Sequence, residues 1–138
     1  MLSPSEPDRP LRSRLPRALR LRSSRQFRAV YEARVSHRAG PLVIYACPNG
    51  LDQTRLGLSV PRRAGGAVRR NRIRRLLREA FRLQRRDLPS GYDVVVNVRP
   101  HESPELGEYQ RQLAAAMRVL DERWSKRRNK AGESTRGG

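Results

Sequence analysis

Between Arg62 and Arg86 the chain sets eleven arginines against a single acid, Glu79, and the apolar residues among them recur at helical spacing. At ~100° per residue, Ile73, Leu76, Leu77, Ala80 and Leu83 fall on one side of a helix, and Asn71, Arg74, Arg75, Arg78 and Arg82 on the other. The pattern predicts an amphipathic helix that follows Gly65-Gly66 and ends before Pro89. One stripe must pack on a core. The opposite face is nearly pure cation, with almost no glutamate at i±4 to offset it. Such a surface repels itself unless a polyanion covers it, although a charge run taken alone can be no more than a solvated face.

The whole chain carries the same bias. Its 138 residues hold 31 Lys+Arg against 13 Asp+Glu, for a formal net charge of +18 and a pI of about 11.7. Length and composition fit one small domain with tails. All but two of the basic residues are arginine, the exceptions being Lys126 and Lys130. Guanidinium forks pair bidentately with phosphate and stack on bases, which suits RNA; a GC-rich genome would give the same bias without selection on binding. Cys47 is the only cysteine, so no intrachain disulfide is expected, and beside an apolar run it reads as a small packed side chain. No apolar run approaches the ~20 residues that span a bilayer, and the Pro- and Arg-rich amino terminus lacks the apolar segment of a secretory signal. A cytoplasmic protein without membrane contact is the expectation.

Composition shifts twice along the chain. Residues 1–22, with Pro4, Pro7, Pro10 and Pro16 among arginines and serines, read as a disordered basic arm, and residues 125–138 as a disordered basic tail. Residues 23–124 are left as the folded domain. There, Ser23 followed by Gln26 resembles a capping box for a short helix to about Ala33, with Phe27 and Tyr31 one turn apart on one face. Leu42 to Ala46 reads as a strand, Pro48-Asn49-Gly50 as a turn, and Arg55 to Val60 as its partner strand. Asp93 to Val98 is a further strand with a β-branched interior. Ser103-Pro104 would open a last helix to about Trp124, with Leu106, Tyr109, Leu113, Met117, Leu120 and Trp124 as its apolar stripe. The expected fold is an α+β two-layer sandwich: a small mixed sheet packed with helices in the order α-β-β-(β)-α-β-α.

The order of these pieces, together with the run Gly65-Gly66-Ala67-Val68-Arg69-Arg70-Asn71-Arg72-Ile73-Arg74-Arg75-Leu76-Leu77-Arg78-Glu79, strongly resembles the bacterial ribonuclease P protein subunit and its arginine-asparagine-arginine signature. The resemblance runs from about Ser24 to Trp124. It implies a sandwich related to a domain of certain ribosomal proteins, with a left-handed β-α-β crossover where general rules favour a right-handed one. It also implies a protein subunit of a ribonucleoprotein endoribonuclease that removes the 5′ leader of precursor tRNA and leaves a 5′-phosphomonoester. Its partners would be a catalytic RNA and precursor tRNA, with Mg²⁺ held mainly by the RNA; no protein partner is indicated.

Carried over position by position, the resemblance assigns Arg70, Asn71, Arg72, Arg74, Arg75 and Arg78 to the catalytic RNA and the vicinity of its metal ions. Guanidinium groups supply phosphate and sugar contacts that position without reading sequence, and Asn71 offers both a donor and an acceptor. Phe27, Tyr31 and Tyr45 match aromatic positions facing a leader cleft, with Arg55, Arg62 and Arg63 on its border. Aromatic faces accept any base, which suits a leader of variable sequence. Read without the family, Phe27, Tyr31 and Tyr45 fit a packed core as well, and Asn71 fits a local cap. Two departures stand out: Pro61-Arg62-Arg63 where the family commonly has serine and two lysines, and Gly66 where it often has asparagine. Pro61 lacks an N–H and fixes φ, which bears on how the preceding strand ends.

Hydrolysis by the polypeptide itself would need clustered carboxylates for two metals or a well-placed histidine pair. Glu32, Asp52, Glu79, Asp87, Asp93 and Glu102 are scattered, and His37 and His101 stand apart. No catalytic residue and no directly bound metal is therefore assigned to the protein. A structural RNA-binding protein of the ribosome is the alternative that composition and pI leave open.

Overall fold

The structure, a computed structural model, describes residues 15–102 and 104–137, with side chains to Lys130. Helix α1, Ser24–Glu32, begins with the expected capping box: the Ser23 hydroxyl accepts from the Gln26 N–H at 3.1 Å and the Gln26 side chain accepts from the Ser23 N–H at 3.1 Å. Arg34, in the left-handed region at φ 57°, then turns the chain into the sheet.

Four strands follow: β1 (Ser36–Ala39), β2 (Leu42–Pro48), β3 (Arg55–Ser59) and β4 (Tyr92–Val98). Their order across the sheet is β1-β2-β4-β3, with β4 antiparallel to β2 and parallel to β3. The expected pairing of the 42–46 and 55–60 strands does not occur, because β4 lies between them. The reason is in β4 itself. Val94, Val95 and Val96 are all buried, so this strand needs cover on both faces and takes the centre. The order read from the sequence leaves an optional strand after Arg55 to Val60; the extra strand is instead β1, polar and short, which precedes β2 and joins it through Gly40, whose φ of 59° makes the tight turn.

Helix α2, Ala67–Gln84, connects the parallel pair β3 and β4. Helix α3, Leu106–Gly137, packs beside it on the same sheet face. The main core lies between: Leu42, Ile44, Leu56, Val94, Val96 and Val98 from the strands meet Ile73, Leu77, Ala80 and Phe81 of α2 and Tyr109, Leu113, Met117 and Leu120 of α3. The α2 stripe is rotated from the expected one. The buried arc is centred between Ile73 and Leu77, so Phe81 is 2% exposed while Leu83, at the arc's edge, is 47% exposed.

Both expected chain boundaries are corrected. Leu15, Leu19 and Leu21 are buried, Arg17–Leu19 forms a 3₁₀ turn, and the Leu21 N–H donates to the Leu56 carbonyl at 2.9 Å. Three spaced leucines hold this strap to the body although its average composition is polar; residues 1–14 of the expected arm lie outside the described residues. At the other end, α3 continues beyond Trp124, since no proline or glycine interrupts the sequence from Glu108 to Ala131. Ser103, the expected cap, also lies outside the described residues. The first helical bond runs from the Tyr109 N–H to the Glu105 carbonyl at 3.1 Å.

Leu19→Ala should lower unfolding stability by ~2–5 kcal/mol in urea titration, as for a buried core leucine. An unchanged midpoint would mean that the strap does not pack.

Candidate nucleic-acid interface

The structure offers two polar surfaces on opposite sides of the sheet. The first is the outer side of α2. Gly65, at φ 144°, opens the helix where a Cβ would collide with the Arg69 side chain. Arg69 is turned inward: its guanidinium donates to the Ala64 carbonyl at 3.2 Å and to the His101 carbonyl. The His101 ring bridges the Arg99 carbonyl at 2.8 Å and the Tyr109 hydroxyl at 2.7 Å. Burial pushes the Tyr109 phenol up to about 12 against the lowering influence of Arg69 and Arg72. Together these contacts fix the start of α2 to the start of α3.

From that fixed start the signature residues share the outer side of α2. Asn71, Arg74, Arg75 and Arg78 lie at the centre of the cationic arc, flanked by Arg70 and Arg72. Asn71, Arg72 and Arg75 are exposed; Arg70, Arg74 and Arg78 are partly covered. Asn71 does not cap the helix, whose N-cap is Gly66; its Oδ1 instead accepts from Arg74 at 2.9 Å. Arg70 donates back to the Gly65 carbonyl at 3.1 Å. Further along, Arg82 forms a two-point pair with Glu79 at 2.9 and 2.6 Å, which raises the Arg82 pKa and neutralises the one acid of the helix. Arg62 and Arg63 are exposed on a 3₁₀ turn that Pro61 opens at φ −72°, its carbonyl accepting from the Ala64 N–H at 2.9 Å. Strand β3 ends at Ser59, so the missing N–H of Pro61 interrupts no ladder.

The second surface is the sheet face that α1 partly covers. Register places three rows there: Arg38, Val43, Asn97 and Ser59; then Ser36, Tyr45, Val95 and Gly57; then Cys47, Asp93 and Arg55. Leu21, Val30 and Val95 form a small buried cluster, and Phe27, Tyr31, Tyr45 and Cys47 pack against it while remaining partly exposed. The aromatic residues are therefore both packing groups and surface groups. The Tyr31 hydroxyl donates to Asn97 Oδ1 at 2.6 Å, and the Tyr31 and Tyr45 rings meet edge to face at 4.9 Å. Burial raises the Tyr31 pKa, opposed by its hydrogen bonds to Ser59 and Asn97. Burial likewise pushes the Cys47 thiol up, with Asp93 adding to the effect.

Arg55 is at this surface but already engaged. Its Nε and one terminal nitrogen each reach an Asp93 oxygen at 2.8 Å, and Asn49 adds a bond to Asp93 at 2.9 Å. Asp93 therefore raises the Arg55 pKa, chiefly through the hydrogen bonds. Sequence reasoning missed Asn97, Ser59 and Gly57. The available signals were a lone amide inside a valine run and a glycine inside a strand, which marks close approach. A Cβ on Gly57 would stand 2.7 Å from Phe27 Cζ and 3.0 Å from Leu21 Cβ, so this glycine lets Phe27 lie on the sheet.

The arrangement suits binding. Among the described residues no three His, Cys, Asp or Glu side chains come together as a metal set. Asp93, on the sheet face, and Glu79, on α2, each hold an arginine. No helix among the described residues is long and apolar enough to cross a membrane.

A family model described as Ribonuclease P matches residues 15–121, which includes the leucine strap and both surfaces. The chain belongs to the ribonuclease P protein family. Among curated relatives, the ribonuclease P protein component of Desulfotalea psychrophila is 44% identical over 90 residues, 64% of this chain and 74% of the relative. That of Desulfovibrio desulfuricans is 38% identical over 110 residues, 77% of this chain and 83% of the relative. Among solved structures, a Staphylococcus aureus RNase P protein mutant with defective mRNA degradation activity aligns at TM-score 0.67 and 25% identity, covering 88% of this chain and 97% of that one. The Thermotoga maritima RNase P protein in complex with 1-(4-fluorophenyl)-2-thiourea aligns at TM-score 0.64 and 32% identity, covering 72% and 95%. The α+β fold is thus shared with the family.

Gly57→Ala should cost ~1–3 kcal/mol, because the added methyl forces Phe27 or Leu21 to move. Adding Phe27→Leu should recover part of that loss in a double-mutant cycle. Additive losses would mean that the two side chains do not share this space.

Proposed function

We propose that this chain is the protein component of a ribonuclease P ribonucleoprotein and acts in the cytoplasm with a catalytic RNA to remove the 5′ leader from precursor tRNA by endonucleolytic cleavage. The observation that carries the reading is the division of the molecule into two unlike surfaces on opposite sides of one sheet. The α2 side is dense in guanidinium groups with Asn71 among them, and suits the phosphates of a large folded RNA. The α1 side presents Phe27, Tyr31 and Tyr45 beside Asn97 and Ser59, and suits unstacked bases of a single strand. Arg62 and Arg63, exposed at the end of β3, are available to the leader's phosphates. Arg55 serves by holding Asp93, which would otherwise face the leader as an unpaired negative charge.

On this reading the bond is broken by the RNA, and Mg²⁺ is held by RNA phosphates. The polypeptide contributes by screening phosphate repulsion, fixing the leader and raising the local affinity for the metal. A net charge of +18 supports such screening.

The test is precursor tRNA cleavage by the cognate RNA with and without this protein, across Mg²⁺ concentrations. Rescue at low Mg²⁺ that fades at high Mg²⁺ is expected, and no rescue at low Mg²⁺ would sink the reading. In the same system, Phe27→Ala with Tyr31→Ala should weaken precursor binding by about tenfold or more, from ~1–3 kcal/mol of stacking per base, while mature tRNA binding changes little. Equal losses for both RNAs would reduce the aromatic pair to packing.

A further inference from the structure

The family match ends at residue 121, yet α3 continues without a break to Gly137. Its departure from the body is well anchored. Asp121 accepts from the Tyr92 hydroxyl at 2.7 Å, and Trp124 packs on the core with its indole N–H donating to the Ala46 carbonyl at 2.8 Å. Arg123 donates to the Ser36 carbonyl at 2.6 Å, and Arg128 to the Tyr92 hydroxyl at 3.4 Å. From Trp124 to Gly137, at 1.5 Å per residue, the helix adds about 20 Å.

The first part of this projection reads Lys126-Arg127-Arg128-Asn129-Lys130, and all five residues are exposed. At helical spacing, Arg128 shares the inward side with Trp124, whereas Lys126 and Lys130 point the opposite way. Arg127 lies 5.0 Å over the Trp124 ring, which holds the cation in place without neutralising it. Neither Lys126 nor Lys130 has an ion-pair partner among the described residues. Like charges four residues apart disfavour a helix. From Trp124 to Gly137 the sequence sets five cations, Lys126, Arg127, Arg128, Lys130 and Arg136, against one acid, Glu133, so the projection carries a net positive charge beyond the residues that the family match includes.

We propose that this projection is an additional RNA-binding arm, in which Lys126, Arg127 and Lys130 take phosphates of the catalytic RNA. The inference rests on the function proposed above. The catalytic RNA is its partner, rather than the leader, because α3 shares the sheet face with α2 and stands on the side away from Phe27, Tyr31 and Tyr45. The contact is to phosphate, because the outward cations Lys126 and Lys130 are compact ammonium charges, which position on a backbone without reading base edges, and Arg127 beside them pairs readily with phosphate.

The triple variant Lys126→Gln, Arg127→Gln, Lys130→Gln keeps Trp124 and Arg128, and its helix content is checked by circular dichroism. Affinity for the catalytic RNA is then measured over a range of salt. The slope of log K against log salt should become shallower by about 2, at ~0.7–0.9 per phosphate lost, with affinity at physiological salt reduced about tenfold. The double variant Lys126→Arg, Lys130→Arg should keep the wild-type slope. An unchanged slope in the triple variant overturns the proposal, as does a loss that appears only with long-leader precursor tRNA. Arg72→Gln with Arg75→Gln on α2 separates the two levels. If this variant also leaves RNA affinity unchanged, the underlying functional reading fails; if it alone weakens binding, only the arm fails.

Discussion

A central strand that is apolar on both faces governs this molecule. β4 buries Val94, Val96 and Val98 under α2 and α3, and Val95 under α1. Because both faces need cover, β4 displaces the local hairpin that β2 and β3 would otherwise form, and the long connection through α2 follows. The same alternation sets Asn97 and Asp93 beside Val95 on the α1 side, where they hold Tyr31 and Arg55. One strand thus separates a cationic helical side from an aromatic sheet side.

Electrostatics acts on top of that division. Arginines whose neighbours can use them are engaged: Arg69 with two carbonyls, Arg82 with Glu79, Arg55 with Asp93. The Arg69 contacts fix the start of α2, and the two ion pairs neutralise Glu79 and Asp93. Arg72 and Arg75 on α2, and Arg62 and Arg63 after β3, are left exposed. A fold that pairs Asp93 and Glu79 with arginines while exposing this many cations is suited to a polyanionic partner.

Much of this was legible in the residues. The capping box, the strand cores, the span of the basic helix and the stripe from Tyr109 to Leu120 all follow from periodicity and caps. Strand order did not, because Leu42 to Ala46 and Arg55 to Val60 look like neighbours until the two-sided burial of Val94, Val95 and Val96 is weighed. Leu15, Leu19 and Leu21 were hidden by averaging over prolines and arginines, and the helix beyond Trp124 by its polar composition. At the candidate site the aromatic positions and the arginine arc were legible. The partners were not: which arginine meets Asp93, which amide meets Tyr31, and why residue 57 lacks a side chain all depend on register across three strands.

If the two sides meet different RNAs, Cys47, the only cysteine, offers a direct probe on the aromatic side. A photoreactive label on Cys47, and in a Cys47→Ser background on Arg75→Cys, would be activated in the complex of protein, catalytic RNA and precursor tRNA. The account predicts crosslinks from position 47 to leader nucleotides and from position 75 to the catalytic RNA. Crosslinks from position 47 only to the catalytic RNA, or from position 75 to the leader, would contradict it.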